Sequence, residues 1–392
     1  MQSKNYLEKR SSYITKILLE FAFVISVFSQ IEPVMVVTRP LMYASWIFVI
    51  AWGFIKNNFN AKISNFAQIF LMSFIAFCSF CLVFGLFDEL YFTANYIFVL
   101  AVPLLVTLAA DMYSNIEECL LNRLAKLYLV SSIIFALWVQ IVYFPSYGEW
   151  MGAQSYVFGQ KNSAGQIWCS AMLIAVLFIK YKNKNQKYMA YAGAFYLFVM
   201  TAIVQCRTAI LAVAVSMVAY IVSKSKHKIR FVLLLLLSIV LLYVIPFTHE
   251  FVEKVLFLSK YAESDSDLNT FSSGRLYYYE IAISKVLSSP FIGVGSYYVD
   301  CSYLSVLAES GLIGFFIIEN VVIRKFRQCF KLSKEYKLIF FMMFFYMVES
   351  LLEGFPPFGP GVSSLMFWFI SEILHRRKEL GTKISLGQKQ IP

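Results

Sequence analysis

Charge is scarce in this chain. Asp, Glu, Lys and Arg make up 15% of its 392 residues, against about 25% in an ordinary soluble domain, and that shortage excludes a molecule solvated on every face. Cysteine gives no framework either: the seven are scattered, and the only close pair, Cys78 and Cys81, lies in an apolar run without further metal ligands, which favours packing over a metal site. A disulfide between Cys206 and Cys301 is conceivable in an oxidising compartment, although nothing in the sequence shows that they meet. No repeat relates the two halves of the chain, as is common in transporters. The basic head before the first apolar run is not followed by a small-x-small cleavage site, so that run reads as a retained anchor. Asp265-Ser266-Asp267 has the spacing of carboxylates that share a divalent metal, but the glycine and distal Glu of a calcium loop are absent, which leaves a solvated loop.

What is present in abundance is apolar. Hydrophobic residues make up 59% and aromatics 18%, with a mean hydropathy of +0.67, the signature of a polytopic membrane protein whose spans satisfy their own backbone as helices. Apolar runs fall at 13–31, 41–55, 66–86, 92–110, 127–144, 163–180, 188–205, 207–223, 231–247, 303–318, 338–352 and 362–374. The expected fold is an all-α integral membrane protein with about twelve transmembrane helices. Residues 1–392 would form a single polytopic domain, with a large external loop over 248–302.

The net charge of +11 orients these spans, because Lys and Arg accumulate on cytoplasmic loops. With the N-terminus inside, all but seven of the 34 basic residues are cytoplasmic, concentrated at 180–187, 224–230, 324–337 and 376–389. Both termini are then cytoplasmic. Basic faces beside anionic membrane lipid account for the charge, and no nucleic-acid partner is called for.

The seven exceptions are Arg39, Lys161, Arg207, Lys254, Lys260, Arg275 and Lys285. A cation on the outer side needs an exposed loop or an anionic partner. Arg207, in VQCRTAIL between two short spans, could clamp phosphate with its planar fork or snorkel to lipid headgroups. Lys161, in FGQKNSAGQ, could cradle an anion with the amides of a helix start, while Asn162 or Ser163 could simply cap that helix. Arg275 opens a helix expected to be capped by Ser272 or Ser273 and stopped ahead of Pro290. The apolar positions Leu276, Tyr279, Ile283, Val286 and Leu287 suit a helix lying on the outer membrane surface. A cation at a helix start opposes the helix dipole, so something else must hold Arg275 there.

Beyond Pro290 the two glycines of FIGVGSYYVDCSYL make a turn that brings Asp300 to the mouth of the tenth span, where it could also cap the helix. Inside that span Ser302, Ser305 and Glu309 form one polar stripe, which points to a cavity rather than lipid on that side. Glu349 and Glu353 end the eleventh span just before GFPPFGPG, as acids near the same cavity or as plain interfacial charges.

The order of FGQKNSAG, CRTAILA, GR followed by a helix ending in SPFIGVG, then an aspartate and SYLSVLAESGLIG resembles the O-antigen polymerase (Wzy-type) and O-antigen ligase superfamily of bacterial envelope proteins. The likeness covers roughly residues 155–320. It implies a GT-C-like membrane glycosyltransferase of the bacterial inner membrane, with short helices in its large periplasmic loop, working on that face without metal or other cofactor. The donor implied is an undecaprenyl pyrophosphate-linked oligosaccharide, held by the arginines matching Arg207 and Arg275. In ligases the position of Asp300 is usually His followed by Asn; this chain has Asp300 and Cys301, which favours polymerase.

The residues fit such chemistry in their own right. Breaking a sugar–pyrophosphate bond leaves a multiply charged anion, so preorganised cations lower the barrier: Arg207 and Arg275, with Lys161. A partly desolvated carboxylate could take the proton of the acceptor hydroxyl, Asp300 first and Glu309 second. The expected activity is extension of a surface polysaccharide at the non-reducing end of a lipid-linked repeat unit, with a chain-length regulator protein as a candidate partner. The alternatives are ligation of the chain to lipid A core, or a lipid-linked oligosaccharide flippase with no bond chemistry.

Overall fold

The computed structural model describes residues 2–57, 63–86, 90–143, 161–204, 206–226, 230, 233, 274–295, 297–354 and 364–381. The expected span at 231–247 apart from residue 233, the loop stretch 248–273 with Asp265 and Asp267, and the FPPFGPG turn lie outside them. All regular structure among the described residues is helical: α1 (Gln2–Phe28), α2 (Glu32–Lys56), α3 (Asn65–Val83), α4 (Leu90–Met112), α5 (Glu118–Tyr143) and α6 (Lys161–Leu177). The second half adds α7 (Lys184–Ile203), α8 (Arg207–Lys224), α9 (Arg275–Ser288), α10 (Ser302–Leu332), α11 (Lys337–Leu352) and α12 (Leu365–Glu379). Five of these, α2, α3, α5, α8 and α10, are long and apolar enough to cross a membrane by length and composition. Large apolar side chains such as Val36, Phe48, Met72, Leu82, Ile141 and Leu211 remain exposed on their outer faces, as a hydrocarbon solvent requires.

Two helices are buried almost all round. In α12 every residue from Leu365 to Leu374 is buried, in keeping with a run that is apolar on every side; Trp368 stacks on Phe66 and Phe367 packs on Tyr346. α6 is buried from Ser163 to Ala171 because its small residues admit neighbours closely. A Cβ on Gly165 would lie 2.4 Å from the Sγ of Cys206. Each of these helices carries a polar cluster, at opposite ends of the bundle.

The end with the basic clusters is tied by ion pairs. Lys325 Nζ lies 2.9 Å from Glu372 Oε2, both side chains essentially inaccessible, and sits over the rings of Phe66 and Trp368. Arg376 Nε pairs with Asp111 at 3.1 Å, and Asp111 also accepts from the Ser64 backbone. Lys325 therefore corrects one expectation: it is a buried partner of α12 and not a loop cation, because α10 continues to Leu332, well past the expected end at 318.

That length conceals a break. At Gly311 the backbone leaves the helix, with φ 59° and ψ −167°, a region open essentially to glycine alone. The segment after α9 docks into the break: Leu312 and Ile313 donate to the carbonyls of Pro290 and Phe291, while Val294 and Gly295 donate to those of Ala308 and Glu309. Backbone groups freed by the kink are thereby satisfied by another part of the chain, the condition for irregular backbone at membrane depth. A Cβ at Gly311 would sit 2.3 Å from the Phe291 carbonyl carbon. Gly311→Ala is expected to dislodge the segment after α9 and lower the yield of folded protein, measurable as a drop in thermal stability in detergent relative to the wild type.

The stripe on α10 also differs from expectation. Ser305 bonds both backbone groups of Val299, and buried Glu309 takes the Tyr297 backbone N–H. The stripe faces this docked segment rather than an open cavity, because the kink brings backbone, itself polar, against it.

Candidate active site

The starts of α6, α8, α9 and α10 and the end of α11 meet at the end of the bundle opposite the basic clusters. Arg275 stands at their centre. The N-cap of its helix is Gly274, left-handed at φ 82°, and Ser272 and Ser273, the caps expected from the sequence, lie outside the described residues. Two carboxylates hold the cation. Nε lies 3.2 Å from Asp300 Oδ2 and Nη2 3.3 Å from Glu353 Oε1. Burial by itself would lower the Arg275 pKa, but the charges of Glu353 and Asp300 outweigh it and raise it. A guanidinium has five N–H donors, more than these two bonds use.

Asp300 does not cap α10, whose N-cap is Cys301 without a side-chain bond. Its carboxylate is committed to Arg275 and is a partner of the Tyr298 hydroxyl. The Tyr279 hydroxyl donates to the Asp300 carbonyl at 2.7 Å, which turns Tyr279 inward from the apolar face expected for it. Leu276, Ile283 and Leu287 on that helix are exposed.

Glu353, the first residue beyond α11, is 5% exposed. Its Oε1 accepts from Asn162 Nδ2 at 2.8 Å, and the Thr208 hydroxyl is a further partner. Burial and then the Asp300 charge push its pKa up to about 7, against the opposing pull of Arg275 and these donors. Asn162 thus reaches across to α11 where sequence reasoning had offered it as a helix cap. Lys161 and Arg207 are the first residues of α6 and α8, each next in sequence to a residue bonded to Glu353.

The geometry brings together Arg275 and Asp300 and sets Lys161 and Arg207 at the helix starts beside them. It does not bring in Glu309, which lies under the turn at Gly293 with no bond to this group among the described residues. Glu353, Asn162, Thr208, Tyr279 and Tyr298 complete the cluster. For Glu353 the signal was in the sequence, an acid at the end of an apolar run; the others are neutral residues whose types carry no such mark. Cys206 and Cys301 are both buried free thiols, and Cys206 lies 3.7 Å from both Asn162 Oδ1 and Thr208 Oγ1.

Thr208, Arg275, Tyr279, Tyr298 and Asp300 share one further property. Residues 192–318 match the family model of the O-antigen ligases. The matched stretch takes in the second half of α7, all of α8 and α9 and the first half of α10, so five of the bonded residues fall within it while Asn162 and Glu353 come from outside. The match supports a polysaccharide-related membrane enzyme of the O-antigen ligase and polymerase superfamily, without separating the two activities. No curated protein matches the chain.

Proposed function

We propose that this protein is a surface-polysaccharide polymerase that moves a growing glycan from its undecaprenyl pyrophosphate carrier onto the non-reducing end of a lipid-linked repeat unit, at the periplasmic face of the inner membrane. One observation carries the reading: a cation at a helix start held by carboxylates from two other elements, one of which is bonded by the residues next in sequence to Lys161 and Arg207. The chain would cross the membrane about twelve times with both termini in the cytoplasm, under a partner that sets chain length.

In this mechanism Arg207, Arg275 and Lys161 take the pyrophosphate and stabilise the charge that grows on it as the sugar C1–O bond breaks. Asp300, the more exposed of the two carboxylates on Arg275, receives the proton of the acceptor hydroxyl as the new C1–O bond forms. Glu353 is the counter-ion that keeps the guanidinium in place before the donor arrives. Glu309 is then a packing residue under the docked turn. Polymerase is preferred to ligase because Asp300–Cys301 stands where the ligases it resembles usually have His and Asn.

The test is the surface glycan of cells carrying Arg207→Ala, separated on a gel with membrane insertion confirmed. The expected result is core bearing a single repeat. Bare core would make the enzyme a ligase, and unchanged long chains would remove Arg207 from the mechanism.

A further inference from the structure

One helical turn deeper than Glu353, α11 carries a second carboxyl that the mechanism above does not use. Glu349 is fully buried, and its Oε2 accepts from Nε2 of Gln166 at 3.0 Å. Gln166, on α6, is 2% exposed. The other oxygen of each side chain, Glu349 Oε1 and Gln166 Oε1, is also buried and has no hydrogen-bond partner among the described residues. Buried polar atoms are rarely left so, and here both are acceptors on residues already joined by one bond. Turning the Gln166 amide over does not help, since it would set its oxygen against a carboxylate oxygen.

A single proton resolves both. A carboxylic acid has one O–H donor in addition to its acceptor oxygens. An O–H on Oε1 directed to Gln166 Oε1, beside the existing bond from Nε2 to Oε2, closes a two-point acid–amide pair with no buried oxygen unpaired.

The surroundings agree. Glu349 faces Tyr346 on its own helix and Glu353 just beyond it, Gln166 and Cys169 on α6, Cys206 ahead of α8, and beyond them Arg275. The hydrogen bonds of Arg275 go to Asp300 and Glu353. An ionised Glu349 would add a third anion to Asp300 and Glu353, buried where charge is costly, beneath a site that has to accept a pyrophosphate.

We propose that Glu349 is a positioning residue that works as the neutral acid: paired with Gln166 it clamps α11 to α6, setting Glu353 and Asn162 beneath Arg275 without adding negative charge to the site. The protonation state stands on hydrogen bonding alone, while the positioning role rests on the function proposed above.

Infrared spectroscopy of the full-length protein in lipid nanodiscs tests the first part without any enzymatic assay. At mildly alkaline pH the wild type should show a carboxylic-acid C=O band that Glu349→Gln lacks; the absence of such a difference would overturn the proposal. Polymer formation tests the second. Glu349→Gln, whose amide can pair with Gln166 on both sides, should keep most of the turnover that Glu349→Ala loses, and the exchange Glu349→Gln with Gln166→Glu should restore it. A Glu349→Gln variant as inactive as Glu349→Ala, though equally well folded, would mean that the carboxylate charge is what counts. Were the polymerase reading wrong, the infrared difference would still appear.

Discussion

Arg275→Ala is expected to reduce the rate of glycan transfer by roughly 10²–10³, the loss typical of removing one preorganised donor from a developing oxyanion. The side chain combines two properties. It is held in place by Asp300 and Glu353, and its planar fork still presents donors beyond those two bonds. Arg275→Lys keeps the charge but cannot reach both carboxylates in the same geometry while offering a second edge to phosphate. It should recover only a small part of the rate. The measurement is transfer by purified enzyme from a lipid pyrophosphate donor, with folding checked by thermal stability. Full activity in Arg275→Lys would reduce its role to that of a point charge, and full activity in Arg275→Ala would remove it from the mechanism altogether.

Asp300→Asn should lower turnover by about 10²–10⁴ if Asp300 receives the acceptor proton, while donor binding, which depends on the cations, is largely kept. A variant that binds donor poorly yet turns over normally would instead make Asp300 a binding residue. Glu353→Gln separates the two carboxylates by pH. With a pKa near 7, Glu353 is mainly protonated below that pH and ionised above it. Its ionised form competes with pyrophosphate for the Arg275 guanidinium, so the apparent KM for donor should rise as pH increases through about 7. In Glu353→Gln the amide is neutral at every pH and that rise should disappear with kcat retained. If kcat collapses in Glu353→Gln instead, Glu353 and not Asp300 is the base.

The parts of this arrangement that could be read from the chain are those written in charge. Arg275 was conspicuous because a cation at a helix start opposes the dipole, and the carboxylates that answer it are Asp300 and Glu353. Glu309 drew attention for the same reason, as an acid in an apolar helix, but among the described residues it takes the backbone N–H of Tyr297 and no bond to Arg275 or its partners. The sequence carries no sign of that difference, because a backbone N–H has no residue type. Nor could it give Asn162 its role: an Asn near a helix start is as suitable for capping as for reaching Glu353, 191 residues away.

Composition and periodicity by themselves determined that the chain is a helical membrane protein, where most of its apolar runs lie, and that its basic clusters and its unusual cations belong to different ends. These are properties of each segment alone, fixed by how much apolar surface it must keep from water and by where charge is tolerated. Tertiary structure decided which groups meet. The break at Gly311 exists because another stretch of chain supplies the missing hydrogen bonds, and Arg275 is held because a loop and the end of α11, far apart in sequence, bring one carboxylate each. Contacts of that kind depend on how helices pack, and packing is a property of pairs of segments that neither segment records on its own.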